Sequence, residues 1–298
     1  MLFKKQKEIL GHAGAIYACT CKDGFVYTGS ADNYVARWNV ETGEQDKFAI
    51  RFEQSVYALT FIDQNRLVVG LANGHLHIFD LNLNQEIKFF TQHTNALFSL
   101  AFNDVKKHIY AADASGNLSI WDTNTLDLLI YLPLDSGKIR DIAIGEDGNH
   151  FSLACQDGTL RIFESEFFNE ISTIEAHESG TTAVLYHPTD KNKIISGGKD
   201  AMLRLWDLKS GNCLQEIPAH NFAIYGIQAI DNGNTIITAS RDKTVKVWTS
   251  ELEFQQRLDF KVGGHRHSVN KIRPLSTDQF VSVSDDKKII VWEEELNQ

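Results

Sequence analysis

The chain is short of several things, and each shortage excludes something. Its 298 residues include four prolines, two methionines and four cysteines. With so few prolines and no Gly/Ser-rich or like-charged block, no stretch reads as a linker between domains, and residues 1–298 are expected to form a single domain. No run approaches the ~20 apolar residues of a membrane-spanning helix. Met1-Leu-Phe-Lys-Lys is followed by no apolar segment, so it does not read as a signal peptide. Cys19, Cys21, Cys155 and Cys213 lack metal-ligand spacing. Cys19 and Cys21 lie two apart on one face of a strand-like run, and the four read as reduced thiols of a cytoplasmic protein. A basic excess is missing too. The net charge of −10 argues against nucleic acid as a partner, and against docking on anionic lipid.

What the chain does have is a period. GGKDAMLRLWD, from Gly197 to Asp207, returns in modified form as ASRDKTVKVWT from Ala239. An Asp-like turn residue followed six residues later by Trp or Phe occurs at 32–38, 73–79, 115–121, 157–163, 200–206, 242–248 and 286–292. The steps between copies are 41, 42, 42, 43, 42 and 44 residues, and all five tryptophans fall on the one position. A fixed period near 40 residues marks a repeat architecture. Within each copy the apolar period is two: Leu203 and Leu205 flank Arg204, and Val245 and Val247 flank Lys246. Turn clusters such as CKDG at 21–24 and KSGN at 209–212 separate the runs. About four short strands per copy, in units too small to bury themselves, predict an all-β, seven-bladed β-propeller with four antiparallel strands per blade.

The sequence resembles the WD-repeat propellers. That family's signature is Gly-His, some twenty residues, Asp, then Trp-Asp. It stands here as Gly11-His12 with Asp32 and Gly264-His265 with Asp286, and more loosely as Ala176-His177 with Asp200 and Ala219-His220 with Asp242. The resemblance implies a structural hydrogen-bonded set in each complete blade: His12-Thr28-Asp32-Trp38, His177-Ser196-Asp200-Trp206, His220-Thr238-Asp242-Trp248 and His265-Ser282-Asp286-Trp292. Such buried donors and hydroxyls each need a partner. Four copies around a ring are a structural repeat and not a catalytic triad, which needs one copy in a cleft beside an oxyanion hole. No catalytic residue, cofactor or metal ligand is expected.

The second repeat loses the set as a whole, with no His, and with Val69, Asn73 and Phe79 at the other positions. The fourth does likewise with Leu153 and Phe163. Removing partners together is nearly neutral, whereas removing one strands the rest. The third keeps His93 and Trp121 but has Ala111 and Ser115, so a local rearrangement or a water is expected there. Arg37 is a further oddity, standing where the other repeats have Leu, Ile or Val. Only EEELNQ follows Trp292, while LFKKQKEIL precedes Gly11-His12. The N-terminal strand, about residues 2–10, is therefore expected to join three C-terminal strands in blade 7 and close the ring.

The family's partners often bind the face holding the His loop and the Asp turn, at the third and fifth residues after the His and the one before the Asp. Aligned by eye, those positions hold Tyr17, Tyr57 and Phe98 beside small residues in the first three repeats, then Lys138, Arg140, Lys199, Tyr225 and Arg241 in the next three. Aromatics and Arg are common interface anchors. The pattern implies a protein or peptide partner with apolar anchors at one end and acidic or phosphorylated groups at the other. The competing reading is that the aromatics plug the channel mouth and the basic residues pair with acids such as Asp141. By function the leading class is a non-catalytic scaffold, a monomeric propeller within a complex. The alternative is an enzyme or small-ligand-binding propeller using the central channel, which a left-over polar cluster would favour.

Overall fold

The computed structural model describes residues 2–295; of the expected span, Met1 and residues 296–298 lie outside it. The protein is a seven-bladed β-propeller with four antiparallel strands per blade and almost no helix. Blade 1 runs Ile16–Lys22, Phe25–Ser30, Tyr34–Asn39 and Gln45–Arg51, and the next five follow the same order.

Burial falls from the middle of each blade to its rim. The second strands are buried along all but their first residue, and Thr235–Ser240 (TIITAS) along its whole length, because a neighbouring blade covers each of their faces. Several third strands alternate as the sequence pattern predicts, as in blade 5, where Leu203 and Leu205 are buried while Arg204 is part-exposed; Asn117–Asp122 and Lys288–Glu294 are instead buried over four consecutive residues. The fourth strands are largely exposed along the rim, and Gln45–Arg51 alternates exposed and half-buried residues. The apolar interior is divided into seven clusters, each drawn from two adjacent blades. Burial therefore couples each blade to its neighbours, as expected when one unit cannot bury itself.

Blade 7 closes the ring as expected. Phe3–Leu10 pairs antiparallel with Lys288–Glu294, outside Gln279–Ser284 and Val269–Pro274. Phe3 and Ile9 are buried, and the Phe3 ring meets Phe280 edge-on at 5.0 Å. The Gln256 side chain, from blade 6, bonds both backbone groups of Phe3, at 2.7 and 2.8 Å.

In every blade the turn between the second and third strands holds one residue at positive φ: Asn33, Gly74, Gly116, Gly158, Ala201, Lys243 and Lys287. At Gly158 (φ 99°) an added Cβ would lie 2.1 Å from the His177 carbonyl oxygen, so only glycine fits.

Candidate functional site at the channel mouth

The four structural sets are closed by hydrogen bonds. In blade 5 the Trp206 indole donates to Ser196 Oγ at 2.8 Å. Ser196 Oγ lies 2.8 Å from His177 Nε2, and His177 Nδ1 lies 2.9 Å from Asp200. One proton arrangement satisfies the four members of the set: the hydroxyl donates to Nε2, and Nδ1–H donates to the carboxylate, which also accepts from Arg204. The corresponding Trp, hydroxyl, His and Asp contacts lie at 2.7–2.8 Å in blade 1, 2.8–3.0 Å in blade 6 and 2.8–3.0 Å in blade 7. The Asp also accepts backbone N–H groups. Asp32 takes those of Ala13 and Tyr34, tying the loop before the first strand to the turn after the second.

Blade 3 carries the rearrangement anticipated there. Ser119 stands directly across the strand pair from Ala111 and supplies the hydroxyl. It accepts from Trp121 Nε1 at 2.9 Å and lies 2.8 Å from His93 Nε2. The carboxylate is Asp113, two residues before the position aligned with Asp, and it reaches His93 Nδ1 at 2.8 Å. Ser115, placed in that position by the repeat alignment, is exposed. In blade 4 the apolar replacement is packed: Phe163 stacks on Phe151 at 4.9 Å. Arg37 is held in a frame of its own. Its guanidinium bonds Asp46 at 2.7 Å and lies over the rings of Phe25 and Phe48.

The first strands of the seven blades line the central channel, and each breaks register at one residue. The pairing skips between Ile16 and Ala18, Val56 and Ala58, Leu97 and Ser99, Ile139 and Asp141, Thr181 and Ala183, Ile224 and Gly226, and Val269 and Lys271. The skipped residues are Tyr17, Tyr57, Phe98, Arg140, Thr182, Tyr225 and Asn270. A bulge of this kind re-aims a side chain out of the regular ladder. All seven line a single cavity of about 530 Å³ at the channel mouth, with Arg241 and Asp285 on its wall. Of the sequence-expected partner residues, Tyr17, Tyr57, Phe98, Arg140, Tyr225 and Arg241 come together here; Lys138 and Lys199 lie outside the lining.

The rings form a ladder. Tyr17 stacks on Tyr57 at 4.8 Å, Tyr57 meets Phe98 at 5.5 Å, and the Arg140 guanidinium lies 4.6 Å over Phe98. Lys138 Nζ lies 5.9 Å from the same ring. Burial raises the Tyr17 phenol above its ordinary pKa, and Tyr57 and Asp285 add to the shift. Burial also lowers that of Arg140, but a guanidinium stays charged at neutral pH. Arg140 Nε is buried without a partner, and among the described residues no ion pair involves Lys138, Arg140, Lys199 or Arg241. Asp141 does not neutralise the arc: it faces Lys271 at 3.5 Å and accepts from the Val184 N–H. Asp285 accepts from the Asn270 side chain at 2.8 Å. The repeat alignment also reaches Thr182 and Asn270 at the same position, but neither is counted among the expected partner residues, since neither is aromatic or charged. Their place on the bulge is the signal that unites them with the rest.

Residues 84–122, 168–207, 211–249 and 256–293, together just over half of the chain, match the WD40 family (WD domain, G-beta repeat). The chain belongs to the WD40-repeat family. The matches fall on blades 3, 5, 6 and 7; the two blades that lost the set are unmatched, as is blade 1. This WD40 propeller is similar to the U3 small nucleolar RNA-associated protein 15 homolog of Gallus gallus, 24% identical over 75% of this chain and 43% of that protein. It is similar to Protein tipD of Dictyostelium discoideum, 21% identical over 97% of this chain and 49% of that protein. It is also similar to Autophagy-related protein 16 of Arabidopsis thaliana, 26% identical over 76% of this chain and 45% of that protein. The chain thus spans less than half the length of these relatives. Among the described residues no helix is long and apolar enough to cross a membrane, and no group of three or more His, Cys, Asp or Glu side chains is placed to hold a metal ion.

Proposed function

We propose that this WD40 propeller is a non-catalytic interaction scaffold, a single unit that holds a segment of a partner protein at its channel mouth. The observation that carries this is the convergence of seven bulged side chains on one cavity, an aromatic ladder on one side and unpaired Arg140 with Arg241 on the other. Scaffolding suits the fold, whose members typically assemble proteins. The ladder offers apolar purchase over blades 1 to 3. The arc of Lys138, Arg140, Lys199 and Arg241 offers cations to aspartate, glutamate or phosphate on the same segment. A guanidinium that is desolvated, stacked and free of any carboxylate favours an anionic partner, because an incoming anion brings the counter-charge the fold does not provide. The propeller is proposed to act as a monomer within a larger assembly. Four unpaired thiols suit a reducing compartment, and the cytoplasm is the one proposed.

The test is a comparative pull-down from source-cell lysate with wild type and a Tyr17→Ala, Tyr57→Ala, Arg140→Glu variant, after matching their melting curves. Because the three side chains face the mouth, melting is expected to match within a few degrees. A partner held by wild type and lost by the variant is the expected outcome. Equal retention by both places binding on another face and overturns the channel-mouth reading.

A further inference from the structure

Blade 2 has lost the hydrogen-bonded set, and the side chains that replace it do not fill the space with a plain apolar plug. Phe52 stands four residues before the first strand, Val56–Phe61, the place His12 holds relative to Ile16–Lys22. Val69 takes the hydroxyl position, and His77 faces it across the strand pair, in the register Ser119 occupies in blade 3. Phe79 takes the place of Trp. The result is a cluster of rings: Phe52 to His77 at 5.1 Å, Phe52 to Phe79 at 5.7 Å, His77 to Phe89 at 4.7 Å and His75 to Phe89 at 5.0 Å.

These rings line a cavity of about 650 Å³ between the outer parts of blades 1 and 2, separate from the channel mouth. Phe89 is 46% exposed, so its ring is open to a ligand, while Phe52 is nearly buried. The wall carries two carboxylates, Glu53 and Glu86, against one guanidinium, Arg51. His77 Nδ1 lies 2.7 Å from Glu86 Oε1. A carboxylate only accepts at neutral pH, so Nδ1 carries the proton and Nε2 is left as an acceptor. Burial holds the His77 imidazole below its ordinary pKa against the opposing pull of Glu86, which keeps the ring neutral near pH 7. Nε2 is itself buried and has no partner among the described residues.

Three features converge on one ligand chemistry. Ring faces attract cations. An excess of carboxylate over guanidinium supplies counter-charge. A buried acceptor calls for an N–H donor. We propose that this cavity is a second binding site of the propeller, taking a lysine or arginine side chain of a partner segment, with its N–H donating to His77 Nε2 and its cation against Phe89 and Glu86. The site is independent of the channel mouth.

The test follows the imidazole signals of the full chain, 15N-labelled, by NMR during titration with four capped amino acids. They are Nα-acetyl-arginine methylamide, Nα-acetyl-lysine methylamide, the neutral norleucine analogue and the anionic glutamate analogue. The His77 Nε2 resonance is expected to shift saturably with one or both cationic probes, and at least about threefold more weakly with norleucine. Glu86 is 39% exposed in its side chain, so Glu86→Gln is expected to keep its melting point while weakening the cationic probe by about tenfold. The Tyr17→Ala, Tyr57→Ala, Arg140→Glu variant keeps full binding here, which separates this site from the channel mouth. Equal affinity for norleucine would make the cavity an apolar slot. Preference for the glutamate probe would make Arg51 the anchor. Either result, or no His77 shift with any probe, overturns the proposal.

Discussion

A single hydroxyl has crossed from one strand to the next in blade 3, from the position of Ala111 to Ser119. The move preserves every partner, because residues facing each other across an antiparallel pair present their side chains on the same face of the sheet. Ser119→Ala leaves His93 Nε2 and the Trp121 indole unpaired and buried, and is expected to destabilise the protein by about 1–3 kcal/mol in urea unfolding. Ser115→Ala, at the exposed position named by the repeat alignment, is expected to stay within about 0.5 kcal/mol. Equal costs for the two would return the role to Ser115. The same sets predict the response to acid. Burial pushes the Asp200 carboxyl up, but hydrogen bonds from His177 and Arg204 outweigh it and hold the group down to about 2. Asp286 is held at about 2 in the same way by His265 and the Arg266 N–H. Both pKa values lie below the ~3.9 of an unfolded Asp, so their stabilisation is full above about pH 4 and is lost as pH falls towards 2. Burial depresses His12 and His220 below 6.5 against the raising effect of Asp32 and Asp242. The unfolded chain then binds more protons, so their contribution is full above pH 6.5 and declines below it. Thermal melting between pH 8 and 2.5 is expected to show two falls, one starting near 6.5 and a second below 4. A flat Tm from pH 8 to 4.5 would remove the histidine contribution.

Among the elements, the N-terminal strand is the latch of the ring. Phe3–Leu10 supplies Phe3 and Ile9 to the core, and Gln256 of blade 6 clamps the Phe3 backbone from outside the strand's own sheet. Phe3→Ala removes a buried ring from the join between the last two blades and is expected to cost about 3–5 kcal/mol, read as a lowered urea midpoint at unchanged slope. A change under about 1 kcal/mol would show that the strand closes the ring through its backbone alone. The first strands are the elements that carry the site, and the feature that matters in them is one bulged residue each. A regular ladder fixes side chains alternately on two faces. Only the break in register turns Tyr17, Tyr57, Phe98 and Arg140 together towards the channel.

At the scale of the whole molecule, a chain of net charge −10 gathers Lys138, Arg140, Lys199 and Arg241 on neighbouring blades with no ion pair to offset them among the described residues. Seven repeats of one unit give seven copies of each position, so differences between the copies carry the specificity. Blades 1 to 3 contribute rings to the mouth, blades 4 and 6 the guanidinium groups of Arg140 and Arg241, and blade 2 a second cavity where its set was lost. The proposed partner segment and the proposed cationic side chain use opposite chemistry at two places on one ring. A rigid toroid with separated sites suits that division.

Sequence alone determined the repeat, the strand type, the number of blades, the closing strand and the four complete sets. The first four are written in the repeat length, the apolar period and the run left over at the N-terminus; the four sets are what the resemblance to the WD-repeat propellers implies. Tertiary structure decided the rest. The exchange of Ala111 for Ser119 needs the strand register, which a linear alignment of repeats does not contain. The fate of Asp141 needed a partner, Lys271, that lies three blades away across the channel. The cluster of His75, His77, Phe52 and Phe89 joins two loops and two strands whose sequence shows only scattered histidines. Strand register within a blade decides the first, packing between neighbouring blades the third, and only the Asp141–Lys271 contact needs the closed ring.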